Sequence, residues 1–319
     1  MDSSVAHDGA AWHTAFLAAT NDSATSRLRR GKLSQLLRRG KLSQLLRRGK
    51  LAAVARGTVS ACAAGQYTPS SQCEPGVVIL PRIGSASVLY GEGGQVAPWD
   101  GGKPLTSGPR AAVQVVNKDC VDVAISLAAS GFQPALLNMA NATRPGGGWR
   151  SGASAQEEEL FRRSNMHSTV TSSHYPLPEF GCIYTPAALY FRHGARQGYA
   201  FMPSPVPLGT ISCAAYVQPT TRGSRLAAAE EAGTRHKIAA IFSAAVCQGH
   251  DSLVLGALGC GSFGNPPDAI ASYFREAAET YASSFKLILF AIIDDDAAVR
   301  NGASNFDAFE RQFRTWSPS

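Results

Sequence analysis

From Ala111 onward the chain alternates short apolar runs with amphipathic stretches, and this alternation limits the fold more than any other feature. Ala112–Val116, Ala135–Ala140, Gly209–Val217, Leu253–Ala257 and Lys286–Ile293 read as strands. Between them, Cys120–Ala129 and Gln156–Met166 read as helices, the first ended by Gly131. Leu226–Gln248 reads as a long helix with Ile238, Ile241, Phe242, Ala245 and Val246 on one side and a stop at Gly249. Pro266 and Pro267 suit the first turn of a further helix carrying Ile270, Phe274, Ala277 and Tyr281. Strands that are apolar throughout must be covered on both faces, so the prediction is an α/β sheet with helices on either side. In such folds ligands bind in the loops at the carboxyl ends of the strands.

The first third of the chain has a different texture. A nine-residue repeat, Leu28-Arg-Arg-Gly-Lys-Leu-Ser-Gln-Leu, recurs from Leu37 and Leu46. It is shorter than the 20–50-residue units of solenoids. Residues 27–56 hold eleven Lys/Arg and no acid, and without those eleven the net charge of +7 becomes −4. A uniformly basic nucleic-acid-binding surface is therefore excluded, which leaves residues 27–56 as the one segment suited to nucleic acid. A solvated basic helix or arm, a targeting segment and a nucleic-acid tether all fit that stretch, although Asp2, Asp8 and Asp22 weigh against a transit peptide. Leu51–Ala64 has helical spacing, and Gln66–Pro109 is rich in Pro, Gly and Ser, with Val77–Leu80 and Ala86–Tyr90 as short strand candidates. The expected divisions are a basic extension (1–49), an accessory N-terminal part (50–110), a core domain (111–300) and a C-terminal tail (301–319). The seven cysteines are scattered without a CxxC pair, as in an intracellular protein with reduced thiols, cytoplasmic or nuclear. No apolar run approaches the roughly 20 residues of a membrane span, so no membrane partner is expected.

The chemistry concentrates between Asn138 and Glu159. Three glycines, Gly146, Gly147 and Gly148, follow an apolar strand, and after Trp149–Ala155 come Gln156, Glu157, Glu158 and Glu159. Glycines let a backbone approach a ligand closely and turn its N–H groups toward anions, but alone they also fit a surface turn. Acids in a first helical turn are often only dipole partners. Side by side, the two features put carboxyls within reach of a glycosidic substrate.

Glycines 146–148, a seven-residue spacer and Gln156-Glu157-Glu158 resemble the signature of poly(ADP-ribose) glycohydrolases. The longer text, through Arg150-Ser-Gly and Arg162-Arg163-Ser164, resembles the microbial type. Gly256-Ala-Leu-Gly-Cys-Gly-Ser-Phe-Gly-Asn265 resembles the diphosphate-binding loop of macrodomains, and Leu51–Val59 resembles the family's entry helix. The resemblance implies a macrodomain-like three-layer α/β/α mixed sheet with an N-terminal helical and loop part. It implies poly(ADP-ribose) or ADP-ribosylated protein as substrate and requires no cofactor. By the same resemblance Glu158 is the catalytic acid/base and Glu157 orients the ribose hydroxyls. Asn141, Gly146, Gly147, Gly148 and Gln156 would bind the ribose and diphosphate beside the scissile bond. Gly259, Cys260, Gly261, Ser262, Phe263, Gly264 and Asn265 would cradle the diphosphate and the adenosine ribose. Asn138 stands where the animal-type enzymes tend to carry an acid.

Cleavage of a ribose–ribose bond passes through an oxocarbenium-like state, with protonation of the leaving oxygen and activation of a water. Glycosidases ordinarily use two carboxylates; here the substrate's own diphosphate could stabilise the cationic ring, so one acting carboxylate suffices. No metal is implied. His167 and His174 lack helical ligand spacing, and Asp294-Asp295-Asp296 follows a strand without the spacing of a calcium loop. Two other readings share the fold: a non-catalytic ADP-ribose reader, against which the intact Gln-Glu-Glu argues, and a mono-ADP-ribosyl hydrolase.

Overall fold

Successive residues of the central strands point into two different cores in the computed structural model. The model describes residues 41–70, 76–81, 87–91, 109–294 and 304–317. Leu137, Leu253, Leu255, Ile288 and Phe290 pack with Ile238, Ile241, Phe242, Phe274 and Phe309 on one face. Their neighbours Leu136, Val254 and Leu289 pack with Val121, Val123, Leu160 and Phe161 on the other. This period-two division is what a sheet covered on both sides requires.

The elements run α1 (Lys41–Ala64), β1 (Gln66–Tyr67), β2 (Val78–Ile79), β3 (Val88–Tyr90), β4 (Ala112–Val116), α2 (Cys120–Ala129), β5 (Pro134–Met139), α3 (Gln156–Arg163) and α4 (Met166–Thr169). They continue with β6 (Cys182–Arg192), β7 (Phe201–Cys213), β8 (Thr221–Arg222), β9 (Arg225–Leu226), α5 (Ala228–Cys247), β10 (Ser252–Leu255), α6 (Pro267–Tyr281), β11 (Leu287–Ala291) and α7 (Asn305–Phe313). Seven strands form one mixed sheet in the order β3-β6-β7-β5-β10-β11-β4. The strands from β7 to β4 in that order are parallel, and β6 and β3 complete the sheet antiparallel. The parallel neighbours β7, β5 and β10 therefore deliver their following loops to the same edge, and those loops contain both glycine-rich motifs.

Most elements follow their sequence signals closely. α2 begins where Asp119 caps the Asp122 N–H at 2.9 Å, and it is followed by Gly131 with φ +86°. Three differences have physical causes. The helix predicted for Gln156–Met166 ends at Arg163, because Ser164 is extended and bridges Tyr190 of β6. β7 begins at Phe201, well before Gly209, although it contains Pro203, Pro205 and Pro207. β6 has no counterpart among the predicted strands, since Pro186 interrupts its apolar run. The pairing with β7 shifts register between Thr185 and Ala188, which accommodates the proline.

Within residues 301–319 lies α7, whose Phe309 and Phe313 are buried with Phe290. The chain divides into two units, Met1–Lys50 and Leu51–Ser319. In the first, residues 41–50 are helical and Leu45 and Leu46 are exposed; residues 1–40, with the first part of the repeat, lie outside the described residues. Among the described residues no helix is long and apolar enough to cross a membrane.

Candidate active site

At the end of β5 the chain turns at Asn141, whose Oδ1 accepts from the Thr143 N–H and hydroxyl (both 2.9 Å) and the Arg144 N–H (3.1 Å). This side-chain turn launches the glycine loop. Gln156, the first residue of α3, locks the helix to the strand: its Oε1 accepts from Met139 N at 2.9 Å and its Nε2 donates to Leu137 O at 2.6 Å. Its amide is thus spent on the backbone of β5, so Gln156 positions the helix that carries the acids.

Both following carboxyls are lashed to backbone N–H groups around the glycine loop. Glu157 Oε2 accepts from Asn141 N at 2.8 Å and its Oε1 from Gly146 N at 3.1 Å. Glu158 Oε1 accepts from Gly148 N and its Oε2 from Ala155 N, each at 3.0 Å. These acids are only 4% and 8% exposed, unlike solvated dipole partners. Burial pushes the Glu157 carboxyl up from 4.5 to about 8; the N–H groups of Asn141 and Gly146 oppose this, and Glu158 adds to it. The amide of Asn138, fully buried, lies against Glu157 and donates to Ser212 Oγ at 2.9 Å.

The carboxyls explain the glycines. A Cβ at Gly147 would lie 2.6 Å from Glu158 Oε1 and 3.3 Å from Glu157 Oε2, and φ there is +52°. At Gly146 a Cβ would meet the Trp149 and Phe161 rings at 2.6 Å. Any side chain would push the loop off the acids it holds.

The second glycine-rich loop follows β10. Gly259 (φ +75°) and Gly264 (φ +70°) make its turns; Gly261 does not have a positive φ, and a Cβ there would meet open space. Backbone demand therefore falls on Gly259 and Gly264, while Gly261 and Ser262 are exposed at the tip. Asn265 is buried and ties the loop shut, its Nδ2 donating to Tyr216 O (2.8 Å) and Gly259 O (3.1 Å). Cys260 is half-buried, its Sγ 3.7 Å from Leu258 O, and burial pushes its thiol far up, which leaves it inert. Phe263 is half-buried, and its carbonyl accepts from Gln218 N at 2.7 Å. Gln218 Nε2 also donates to Ser262 O at 3.2 Å, so Gln218 clamps the loop from the end of β7.

Two residues of this region, Gln218 and Tyr175, have no signal in sequence, and a third, Arg162, has only its place in the Arg162-Arg163-Ser164 text. Gln218 lies in a polar turn. Arg162, fully buried, donates to Ala153 O (2.6 Å) and Trp149 O (3.3 Å) and pairs with Glu159 (2.7 Å). Tyr175 has a buried hydroxyl without a hydrogen-bond partner among the described residues, and its segment is held to the Asn141 turn by Leu177 N–Ala142 O at 2.9 Å. Among the described residues no His, Cys, Asp and Glu cluster could hold a metal.

Residues 55–193 match the family model of the microbial-type PARG catalytic domain. Poly(ADP-ribose) glycohydrolase (PARG) from Thermomonospora curvata is similar in structure, with a TM-score of 0.67 at 28% identity, covering 82% of this chain and 99% of that one. Its structure bound to the inhibitor ADP-HPD gives the same values. PARG from Deinococcus radiodurans in complex with ADP-ribose matches with a TM-score of 0.56 at 28% identity, covering 65% of this chain and 86% of that one. No curated protein sequence matches. In signature residues 55–193 are similar to a microbial-type PARG catalytic domain, and the fold is that of the PARG structures. The PARG signature and the two carboxyls it contributes are the same residues that the geometry brings together.

Proposed function

We propose that the chain hydrolyses the ribose–ribose O-glycosidic bonds of poly(ADP-ribose) and releases ADP-ribose. The observation that carries this reading is the pair of buried carboxyls, Glu157 and Glu158, each gripped by two backbone N–H groups around the glycine loop at the carboxyl edge of the sheet. The solved relatives named above are poly(ADP-ribose) glycohydrolases, one of them holding ADP-ribose.

In this mechanism Glu158 gives its proton to the leaving ribose oxygen as the glycosidic bond breaks. The oxocarbenium-like ring is stabilised by the substrate's own diphosphate. Glu158, now a carboxylate, then takes a proton from the water that attacks the anomeric carbon. Both Glu158 oxygens are pinned, so little reorganisation is needed at the reacting bond. Glu157 orients the ribose hydroxyls. Burial keeps it largely protonated at neutral pH, so Glu157 brings little charge of its own to this dry site. Asn141 and Gly146–Gly148 line the ribose, and the exposed tip of the 259–265 loop offers its N–H groups to the diphosphate.

Incubation with poly(ADP-ribose) and, separately, with mono-ADP-ribosylated protein tests this, with products separated by chromatography. Free ADP-ribose from polymer is expected. Release only from the mono-modified protein would make the chain a mono-ADP-ribosyl hydrolase; binding without release from either would make it a reader. The same proposal assigns catalysis to residues 111–300 with the accessory part 50–110. It places nucleic-acid contact on residues 27–56 of an intracellular enzyme.

A further inference from the structure

The glycine loop borders a hollow of about 210 Å³, which it lines with Gly147 and Gly148 alongside Arg144, Pro145, Trp149, Arg150 and Ser151. No residue of the 259–265 loop lines it, so it is separate from the proposed cradle of the terminal diphosphate. Gly148 N also donates to Glu158 Oε1 at 3.0 Å, so the hollow borders the carboxyl pair. Arg144 and Arg150 are exposed, and neither has a carboxylate partner among the described residues. The Arg150 guanidinium is stacked 4.7 Å from the centre of the buried Trp149 ring, which holds it over the hollow. Ser151 Oγ donates to Gly148 O at 2.9 Å and fixes the wall.

Two unneutralised guanidiniums at one hollow are unusual on a body whose net charge, outside residues 27–56, is −4. Guanidinium groups in this arrangement suit phosphate oxygens. We propose that this hollow is a second anion subsite, which takes the diphosphate of the ADP-ribose unit on the leaving side of the scissile bond. The inference rests on the function proposed above and deepens it. A polymer end with a second unit fills both subsites, whereas free ADP-ribose fills only the first. The enzyme would thereby favour chains of two or more units over a single ADP-ribose attached to protein.

The test compares wild type with Arg144→Gln/Arg150→Gln and Arg144→Lys/Arg150→Lys. Melting temperatures come first, and both variants should match wild type because the replaced side chains are exposed. For the glutamine variant the KM on poly(ADP-ribose) should rise about tenfold or more, with a shallower dependence on salt. Calorimetric affinity for free ADP-ribose should stay within about twofold, a difference near the smallest such a measurement resolves. The lysine variant, which keeps the charge, should recover most of the loss. Unchanged polymer kinetics would overturn the proposal. An equal loss of free ADP-ribose affinity would also overturn it, since the arginines would then serve the terminal unit. If wild type neither binds ADP-ribose nor cleaves polymer, the proposed function itself fails, and that result is distinct from either of the others.

Discussion

Arg162 Nη1 lies 2.6 Å from the carbonyl oxygen of Ala153, so a buried cation one helical turn beyond Glu158 holds the loop that supplies Glu158 with its hydrogen bonds. The same guanidinium reaches Trp149 O at the other end of the spacer and pairs with Glu159, which also accepts from the Tyr199 hydroxyl at 2.9 Å. Of the two N–H donors to Glu158, Gly148 precedes that spacer and Ala155 ends it. Arg162 is thus a positioning residue.

Arg162→Met should lower stability by roughly 3–5 kcal/mol, because two carbonyls and Glu159 lose a charged donor in a buried place. Arg162→Lys should recover part of the stability but less of the turnover, since one ammonium cannot span both carbonyls and the carboxylate as the planar fork does. Urea unfolding alongside kcat measurements on polymer checks this. Equal recovery of both by lysine would show that the residue only fills space and charge.

Glu158→Gln should cut turnover by about 10²–10⁴-fold, because an amide cannot deliver or accept the proton. ADP-ribose affinity should stay within about an order of magnitude of wild type. The replacement is less innocent than its shape suggests. Both Glu158 oxygens accept N–H groups, so the new NH₂ must face one of them, at about 1–3 kcal/mol of stability. Product chromatography, calorimetry and a melting curve on one preparation test all three parts. Near-wild-type turnover would remove Glu158 from the chemistry.

Gly259→Val and Gly261→Val should separate folding from binding. Gly259 needs φ +75°, and its Cβ would lie 2.5 Å from Asn265 Nδ2 and 2.6 Å from the Ala215 methyl. Valine there should destabilise by roughly 2–4 kcal/mol. Gly261 has neither demand, so valine should leave stability within about 0.5 kcal/mol. It should still weaken ADP-ribose binding about tenfold or more, because a branched side chain would screen the exposed tip N–H groups from a diphosphate. Unaltered affinity in Gly261→Val would move the diphosphate away from this tip.

How far the sequence reaches depends on whether a signal is local. α2 is bounded by a local cap and a local glycine, and its limits are read correctly from Cys120 to Ala129. The glycine run and Gln156-Glu157-Glu158 are legible because they lie close in the chain. β6 is hidden because Pro186 is tolerated only through a register shift against β7, a strand that starts nine residues after β6 ends. Arg162 is legible only as part of the Arg162-Arg163-Ser164 text; its burial against the carbonyls of Trp149 and Ala153 comes from the spacer folding back over α3. Tyr175 is brought beside Glu157 by a long-range contact, that of Leu177 with Ala142, 35 residues earlier in the chain. Gly261 illustrates the reverse case, since a motif names all its glycines alike while the backbone needs positive φ at only some of them.

Glu157 should give the protein a pH-dependent stability of known sign. Its carboxyl rises from 4.5 to about 8 on folding, chiefly through burial. Between those values the native state binds more protons than the unfolded chain, so the free energy of unfolding falls as pH rises. Below pH 4.5 both states hold the proton and the term vanishes; above about 8 both have lost it and the penalty is complete. The penalty is on the order of a few kcal/mol. Glu157→Gln has no carboxyl to ionise, so it should lose this slope. Its own cost, an NH₂ turned toward the N–H of Asn141 or Gly146, does not change with pH. The stability of the variant minus that of wild type should therefore rise steadily between pH 5 and pH 8 and then level off. Denaturant unfolding of both proteins at half-unit steps from pH 5 to pH 9 measures that difference. A difference that stays flat across the range would mean that Glu157 is ionised throughout.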